Sequence, residues 1–321
     1  MAVRSSRAEY VVKRVLFAFL TVFIIVTIMF FIFRLAPGNP LSRLGGKMTP
    51  QDLAQLKHEL GLDGSIWTQY TSYWTQLLQG NMGRSYVNSE PVTQLIWNKL
   101  AITIPMVLIA TVISILLGIG TGVLAAARRN TAVDRLTTSV ALVFYSFPTQ
   151  WFGLMLILLL GSFLPTYGRV DPFSGATGLA YFADVGAHML LPAATLALGL
   201  YGEYTVVVRS AMLETLGEDY VLTARAKGLS RRRIVWRHAF RNASLPVVTL
   251  VALSLAYVVA GSILVEAVFS WPGIGLQFYK AIVDQDWPVL QASFLVLCFM
   301  VIFGNLAADL LLFKLDPRVT E

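Results

Sequence analysis

Charge and cysteine are what this sequence has least of. Only 13% of its 321 residues are Asp, Glu, Lys or Arg, where soluble domains carry about 25%. Its single cysteine, Cys298, and its three histidines, His58, His188 and His238, exclude a disulfide framework and offer no metal-ligand spacing. A phosphate-binding loop is missing too. At Gly46-Lys47, Leu41 stands where the first glycine is required and Met48 replaces the Ser or Thr that binds Mg²⁺, and Ala226-Lys227-Gly228 has the wrong order. ATP hydrolysis is therefore not expected in this chain. Neither a nucleophile–base set nor paired carboxylates assemble from His188, Glu203 and Asp309, which argues against an intramembrane enzyme and leaves no catalytic residue to name. An ion-driven carrier would need midplane charges in broken helices and often an inverted repeat, and no persuasive repeat is present.

Apolar residues are abundant, at 56%. They gather in six runs, 15–33, 101–124, 136–164, 188–208, 245–268 and 289–313, each near or above the roughly 20 helical residues that cross a bilayer core. The expectation is an all-α, polytopic membrane protein with six transmembrane helices. The run 136–164 is long and contains Pro148, so a tilt, a kink or a break is expected near 145–148. Arg4, Arg7, Lys13 and Arg14 precede the first run, but its apolar core is too long for a signal peptide and no small-residue cleavage site follows before Arg34. It reads as an uncleaved span.

The net charge of +7 follows this topology. Of 25 basic residues, 17 fall in 1–14, 125–135, 209–244 and 314–321, the segments on one side of the six spans. By the positive-inside rule both termini are cytoplasmic. Eight of the 17 crowd into 209–244, where anionic headgroups or a cytoplasmic partner would meet them; nucleic acid is a poor explanation. The chain divides into 1–34 (tail and first span), 35–100 (external loop), 101–313 (a five-helix core including the loop 209–244) and 314–321 (cytoplasmic tail).

The external loop carries two helical patterns. Thr49-Pro50-Gln51-Asp52 is a helix start, Leu53, Leu56 and Leu60 share a face, and Gly61 can end it. Trp67, Tyr70, Tyr73, Trp74, Leu77 and Leu78 then repeat at helical spacing and stop at Gly80. Packing on the outer mouths of the spans is favoured over contact with an external partner.

In the cytoplasmic loop, Glu218 and Asp219 suit a helix N-terminus, Arg225 and Lys227 its C-terminal end, and Gly228 can turn left-handed. This predicts a helix over 218–227, then a second, capped by Ser230 and running to about Asn242. Two short helices joined at Gly228 form a protrusion that fits a groove on a soluble protein.

The run from Tyr220 to Gly228, YVLTARAKG, followed by Ile234 and Leu245-Pro246, resembles the EAA loop of permease subunits of ATP-binding-cassette importers. More narrowly it resembles the B-type permeases of the dipeptide, oligopeptide and nickel subfamily. The acid that names the loop is absent, with Leu222 and Thr223 in its neighbourhood. RLAPGNP (34–40), GNMGRSY (80–86), FSWPGIG (269–275), DQDWP (284–288) and LDPR (315–318) support the same subfamily along the whole chain. The resemblance implies the type I importer permease fold with a cytoplasmic coupling helix, in a bacterial or archaeal inner membrane. It implies an assembly of two homologous permeases, two cytoplasmic ATPase subunits holding ATP and Mg²⁺, and an external solute-binding protein that delivers peptides, or else nickel chelates or glutathione. Tyr220, Ala224, Arg225, Ala226, Gly228 and Leu229 would then couple the spans to the ATPases.

Within the spans, Gly118 and Gly122 form a small-xxx-small pair for close helix approach. Ser146, Thr149 and Gln150 flank Pro148, where an opened backbone could present polar groups to a cavity, although a local kink without substrate contact is favoured. Ser146, Gln150 and Glu203 are the pathway candidates; Glu203 could instead pair with Arg209. Glu266 and Asp309 lie near span ends, where both could reach water, and pairing or capping is favoured for each. His188 is expected to cap the fourth span.

Overall fold

The computed structural model describes residues 7–35, 49, 51 and 63–315. The helix expected over 49–61 lies almost wholly outside these residues. Apolar runs in a bilayer must satisfy their own backbone polar groups, and helices do so within one segment. Among the described residues the chain is accordingly helical, with one isolated bridge between Arg84 and Pro91 and no strand. The helices are α1 (Arg7–Leu35), α2 (Ile66–Leu78), α3 (Val92–Ala127), α4 (Ala132–Ser146), α5 (Thr149–Leu160), α6 (Gly178–Leu216), α7 (Asp219–Ala226), α8 (Arg231–Arg233), α9 (Phe240–Val268), α10 (Ile274–Asp284) and α11 (Trp287–Leu315). A π-helical stretch, Ile234–Ala239, joins α8 to α9.

Four of these, α1, α3, α6 and α11, are long and apolar enough to cross a membrane. Two bent pairs complete six crossings if each pair is one span: α4 with α5, and Arg231–Ser254 with Val259–Val268. The third run is broken outright, its two arms standing at 105°. Proline explains the place. Its ring disfavours helical backbone in the preceding residue, and Phe147 is extended at φ −86°, ψ 142°.

The helices overrun the apolar runs. α3 starts at Val92 rather than near 101, and α6 at Gly178 rather than near 188. Hydropathy marks only the part of a helix that needs lipid, while the hydrogen-bonded backbone continues into water. His188 therefore does not cap the fourth span. It sits inside α6, its Nδ1 3.0 Å from both the carbonyl oxygen and Oδ1 of Asp184 one turn earlier. The second loop helix also differs from expectation: it does not end near Asn242 but runs through the π-helical stretch into α9, with Pro246 inside the helix.

The bundle packs in two apolar layers along α3 and α6. Towards the start of α3, Ile96, Met106 and Val107 meet Leu191, Phe269, Trp271 and Ile274; towards its end, Val123 and Ala126 meet Val208, Met212, Val235 and Ala239. Between the layers α3 and α6 almost touch. A Cβ added at Gly122 would stand 2.7 Å from the Cβ of Val208, and one at Gly118 would overlap Tyr204. Tyr204 and Val208, four residues apart, thus ride in the groove that two glycines four residues apart leave open. Thr121 and Thr205 join their hydroxyls at 2.9 Å beside it.

α1 and α11 form the flank. Val26, Met29 and Leu295 make a small core onto which α2 lays Tyr73, Trp74 and Leu77. The hydroxyls of Tyr70 and Thr27 are 2.8 Å apart. The Ile66–Leu78 helix, with Ser65 as its N-cap, is thus packed on a span through its aromatic face. At the other end of α1, Arg14 pairs with Asp309 at 3.0 Å, the pairing favoured for that acid.

Candidate functional site

The loop helix α7 is held from one side only. Val221 and Ala224 are buried against Ile234, with Leu216 and Leu229 at the edges. Its other face is open: Tyr220, Leu222, Arg225 and Ala226 are exposed. Tyr220 is steadied by Asn242, whose Nδ2 donates to the phenol oxygen at 2.9 Å. The helix closes with a Schellman motif: the N–H of Leu229 donates to the Ala224 carbonyl at 3.3 Å and that of Gly228 to Arg225 at 2.9 Å. This geometry requires a left-handed residue after the cap, and Gly228 supplies it at φ +73°. Of the six residues singled out in this loop, Tyr220, Arg225, Ala226 and Gly228 face outward, while Ala224 and Leu229 pack beneath and fix the helix on its base.

The pathway candidates lie at the broken span. Phe144 on α4 packs across the elbow against Phe152 of α5, the rings tilted with centroids 5.0 Å apart, and meets Tyr201 of α6 edge-on at 5.9 Å. Glu203 follows two residues later, half-buried. Gln150 is half-buried on the first turn of α5, and Ser146 is exposed with its hydroxyl donating back to the Leu142 carbonyl at 2.7 Å. Tyr145, Phe147 and Trp151 are more than half exposed around the same elbow. Glu203 does not pair with Arg209. That arginine reaches Asp134 at the start of α4, donating from Nε at 2.6 Å. Asp134 had no place among the expected partners, because hydropathy and charge counting treat the 125–135 turn only as a marker of sidedness.

At the opposite end of α3, several sequence motifs interlock. Ser85 and Tyr86 of GNMGRSY hold Asp286 of DQDWP: the Ser85 hydroxyl donates to Oδ2 and the Tyr86 N–H to Oδ1, the latter at 3.1 Å. Glu266 is fully buried and does not reach water. It caps α10, accepting from the N–H groups of Gly275 at 2.8 Å and Leu276 at 3.1 Å, and from the Thr103 hydroxyl at 2.6 Å. Thr103 in turn accepts the Ile274 N–H at 2.9 Å, so FSWPGIG is fastened to α3 by hydroxyl and carboxylate together. Among the described residues no group of His, Cys, Asp or Glu could hold a metal ion.

The arrangement has a firm closure at one end, an elbow with an unpartnered acid among the described residues in the middle, and a one-sided helix presented at the basic end. A family model described as "Binding-protein-dependent transport system inner membrane component" matches residues 118–321, and the corresponding N-terminal model matches 8–107. The chain belongs to this family of membrane transport components. It is 38% identical to the dipeptide transport system permease protein of Escherichia coli (strain K12), covering 92% of this chain and 94% of that one. It is 34% identical to the oligopeptide transport system permease protein of Bacillus subtilis (strain 168), over 97% and 99%. Among solved structures, inward-facing conformations of the MetNI methionine ABC transporter include a chain with the same fold. The TM-score is 0.60 at 19% identity, covering 71% of this chain and 99% of that one. The family and the apolar helices make this a multi-pass membrane permease.

Proposed function

We propose that this chain is one of two permease halves of an ATP-driven importer of short peptides. The observation that carries the reading is similarity over nearly the whole chain to dipeptide and oligopeptide permeases. An external binding protein delivers the peptide to the side of the bundle where residues 63–91 and α10 lie. Two cytoplasmic ATPases hydrolyse ATP, which fits a sequence without a usable phosphate loop. Both termini and the loop 209–244 are cytoplasmic, on the charge asymmetry.

The loop helix α7 is the coupling element. Its exposed face, with Tyr220, Arg225, Ala226 and Gly228, meets the ATPases, while Ala224 and Leu229 transmit the push to the bundle. The elbow of α4 and α5, with Ser146 and Gln150, and the neighbouring Glu203 line the pathway. A free carboxylate there suits the ammonium of a peptide, while the surrounding aromatics offer weak contacts that permit release.

The test is purification of this chain from its native membrane with whatever chains it retains, and reconstitution of that complex with labelled di- and tripeptides. ATP-dependent uptake that needs the binding protein is expected. Transport by this chain alone, or a purified complex without P-loop ATPases, sinks the reading.

A further inference from the structure

Beneath the loop helix, between it and the end of α3, lies a cavity of about 890 Å³. Its rim is basic: Arg128 and Arg129 come from the turn after α3, Arg225 and Arg231 from the loop. Among the described residues no carboxylate lines it. Its floor is apolar, with Leu216 and Ile234 among its side chains. The volume lies in the range, about 300–1,000 Å³, of cavities that bury a small molecule.

Charge and floor together select the occupant. Four guanidiniums that do not neutralise one another favour a phosphate-type anion, which their planar donors match in pairs. An inorganic anion would use the rim and leave the apolar floor in water, whereas an amphiphile uses both. We propose that this cavity binds an anionic phospholipid from the cytoplasmic leaflet, its phosphate held between Arg128 and Arg129 on one side and Arg231 on the other, and its apolar stem laid on the floor, with Arg225 left at the outer edge for the ATPases. Basic pockets at the cytoplasmic ends of membrane helices are suited to such headgroups. The proposal rests on the cytoplasmic orientation of this loop given above.

The consequence is mechanical. A hydrogen bond from Arg231 to the Ala127 carbonyl already ties the loop to the end of α3. A bound headgroup adds a second, charge-assisted tie between the same two elements. The loop helix then moves with the bundle instead of rocking on its base, and coupling improves when anionic lipid is present.

The experiment uses the complete assembly in nanodiscs of phosphatidylcholine, alone or with phosphatidylglycerol, with retained lipid counted by native mass spectrometry. The wild type is expected to retain phosphatidylglycerol selectively. An Arg128→Gln/Arg129→Gln variant should retain it roughly 30-fold less tightly, at about fivefold per lost basic contact. Arg128→Lys/Arg129→Lys should recover most of the retention, and Arg237→Gln, outside the cavity, should retain lipid as the wild type does. Equal retention of both lipids, wild-type retention by the double Gln variant, or an equal loss in Arg237→Gln each overturns the proposal. So does displacement of phosphatidylglycerol by excess inorganic phosphate, which would mark a free-anion site. If photoreactive phosphatidylglycerol fails to label 126–131 in the assembly while a cross-linker at the same turn captures an ATPase subunit, the occupant is protein and the proposal falls. Peptide uptake into proteoliposomes of the same lipid compositions separates this from the transport reading: selective lipid retention without any uptake fails the transport reading and supports the lipid site.

Discussion

Arg209 of α6 clasps Asp134 of α4 through two parallel hydrogen bonds, Nε to Oδ1 at 2.6 Å and Nη2 to Oδ2 at 2.9 Å. The acid is buried and also accepts the Asn130 N–H at 2.9 Å and the Thr138 hydroxyl at 3.3 Å. A two-pronged guanidinium–carboxylate pair fixes orientation as well as distance, so the start of the broken span is pinned to the end of α6, where the loop helix begins. Asp134→Asn leaves Arg209 without its counter-charge. The pair is only partly buried on the arginine side, at 26% exposure, so the expected loss is about 2 kcal/mol, below that of a fully buried pair. Adding Arg209→Gln should restore part of it. Thermal unfolding in detergent of both single variants and the double variant measures the coupling, and strictly additive losses would contradict it.

Glu266 gives a second prediction. Its carboxylate satisfies the first N–H groups of α10 and the hydroxyl of Thr103 at once. Glu266→Ala strands two buried N–H donors and should cost at least about 2 kcal/mol. Thr103→Val removes one donor and one acceptor together and should cost less. Glu266→Gln turns one acceptor oxygen into a donor facing other donors, and should fall between them. Melting temperatures in that order are expected; Glu266→Ala as stable as the wild type would show that the cap contributes nothing.

The contrast between these two acids shows what the sequence makes legible. The apolar helices, the break at Pro148, the Gly118–Gly122 groove and the turn at Gly228 are local: each follows from hydropathy, a proline ring crowding the residue before it, a missing Cβ or a left-handed φ. The Asp134–Arg209 pair joins residues 75 apart and the Thr103–Glu266 contact residues 163 apart, and no local pattern encodes which distant partner an acid will find. Glu203 and Arg209 stand close in sequence, which made them plausible partners. A helix turns six residues through about 600°, which swings the arginine well off the acid's face and towards α4.

A third prediction concerns the outer helix α2. Burial pushes the Tyr73 hydroxyl from its ordinary value near 10 up to about 12, with the charge of Arg34 pulling the other way. The packed state therefore favours the neutral phenol. Its contribution is complete below pH 10 and falls away as pH rises from there through about 12. Limited proteolysis across the 63–80 segment should show α2 loosening over that window before the bundle unfolds. Tyr73→Phe should shift the loosening to higher pH, and an unchanged profile would mean that Tyr73 does not control it.

The last prediction tests coupling at Gly228. Its φ of +73° is open to glycine, tolerable for asparagine and strained for a β-branched residue. Gly228→Val should cost about 1–2 kcal/mol locally, and the helix would escape that cost by giving up the bonds from Gly228 and Leu229 to the Arg225 and Ala224 carbonyls. The last turn of α7 would then fray while Val221 and Ala224 keep the helix on its base. In a reconstituted assembly the expected result is ATP hydrolysis that continues with several-fold less peptide carried per ATP. Gly228→Asn should lie near the wild type. Assembly on a size-exclusion column distinguishes uncoupling from failure to bind the ATPases. An unchanged peptide-to-ATP ratio in an assembled Gly228→Val complex would remove α7 from the coupling path.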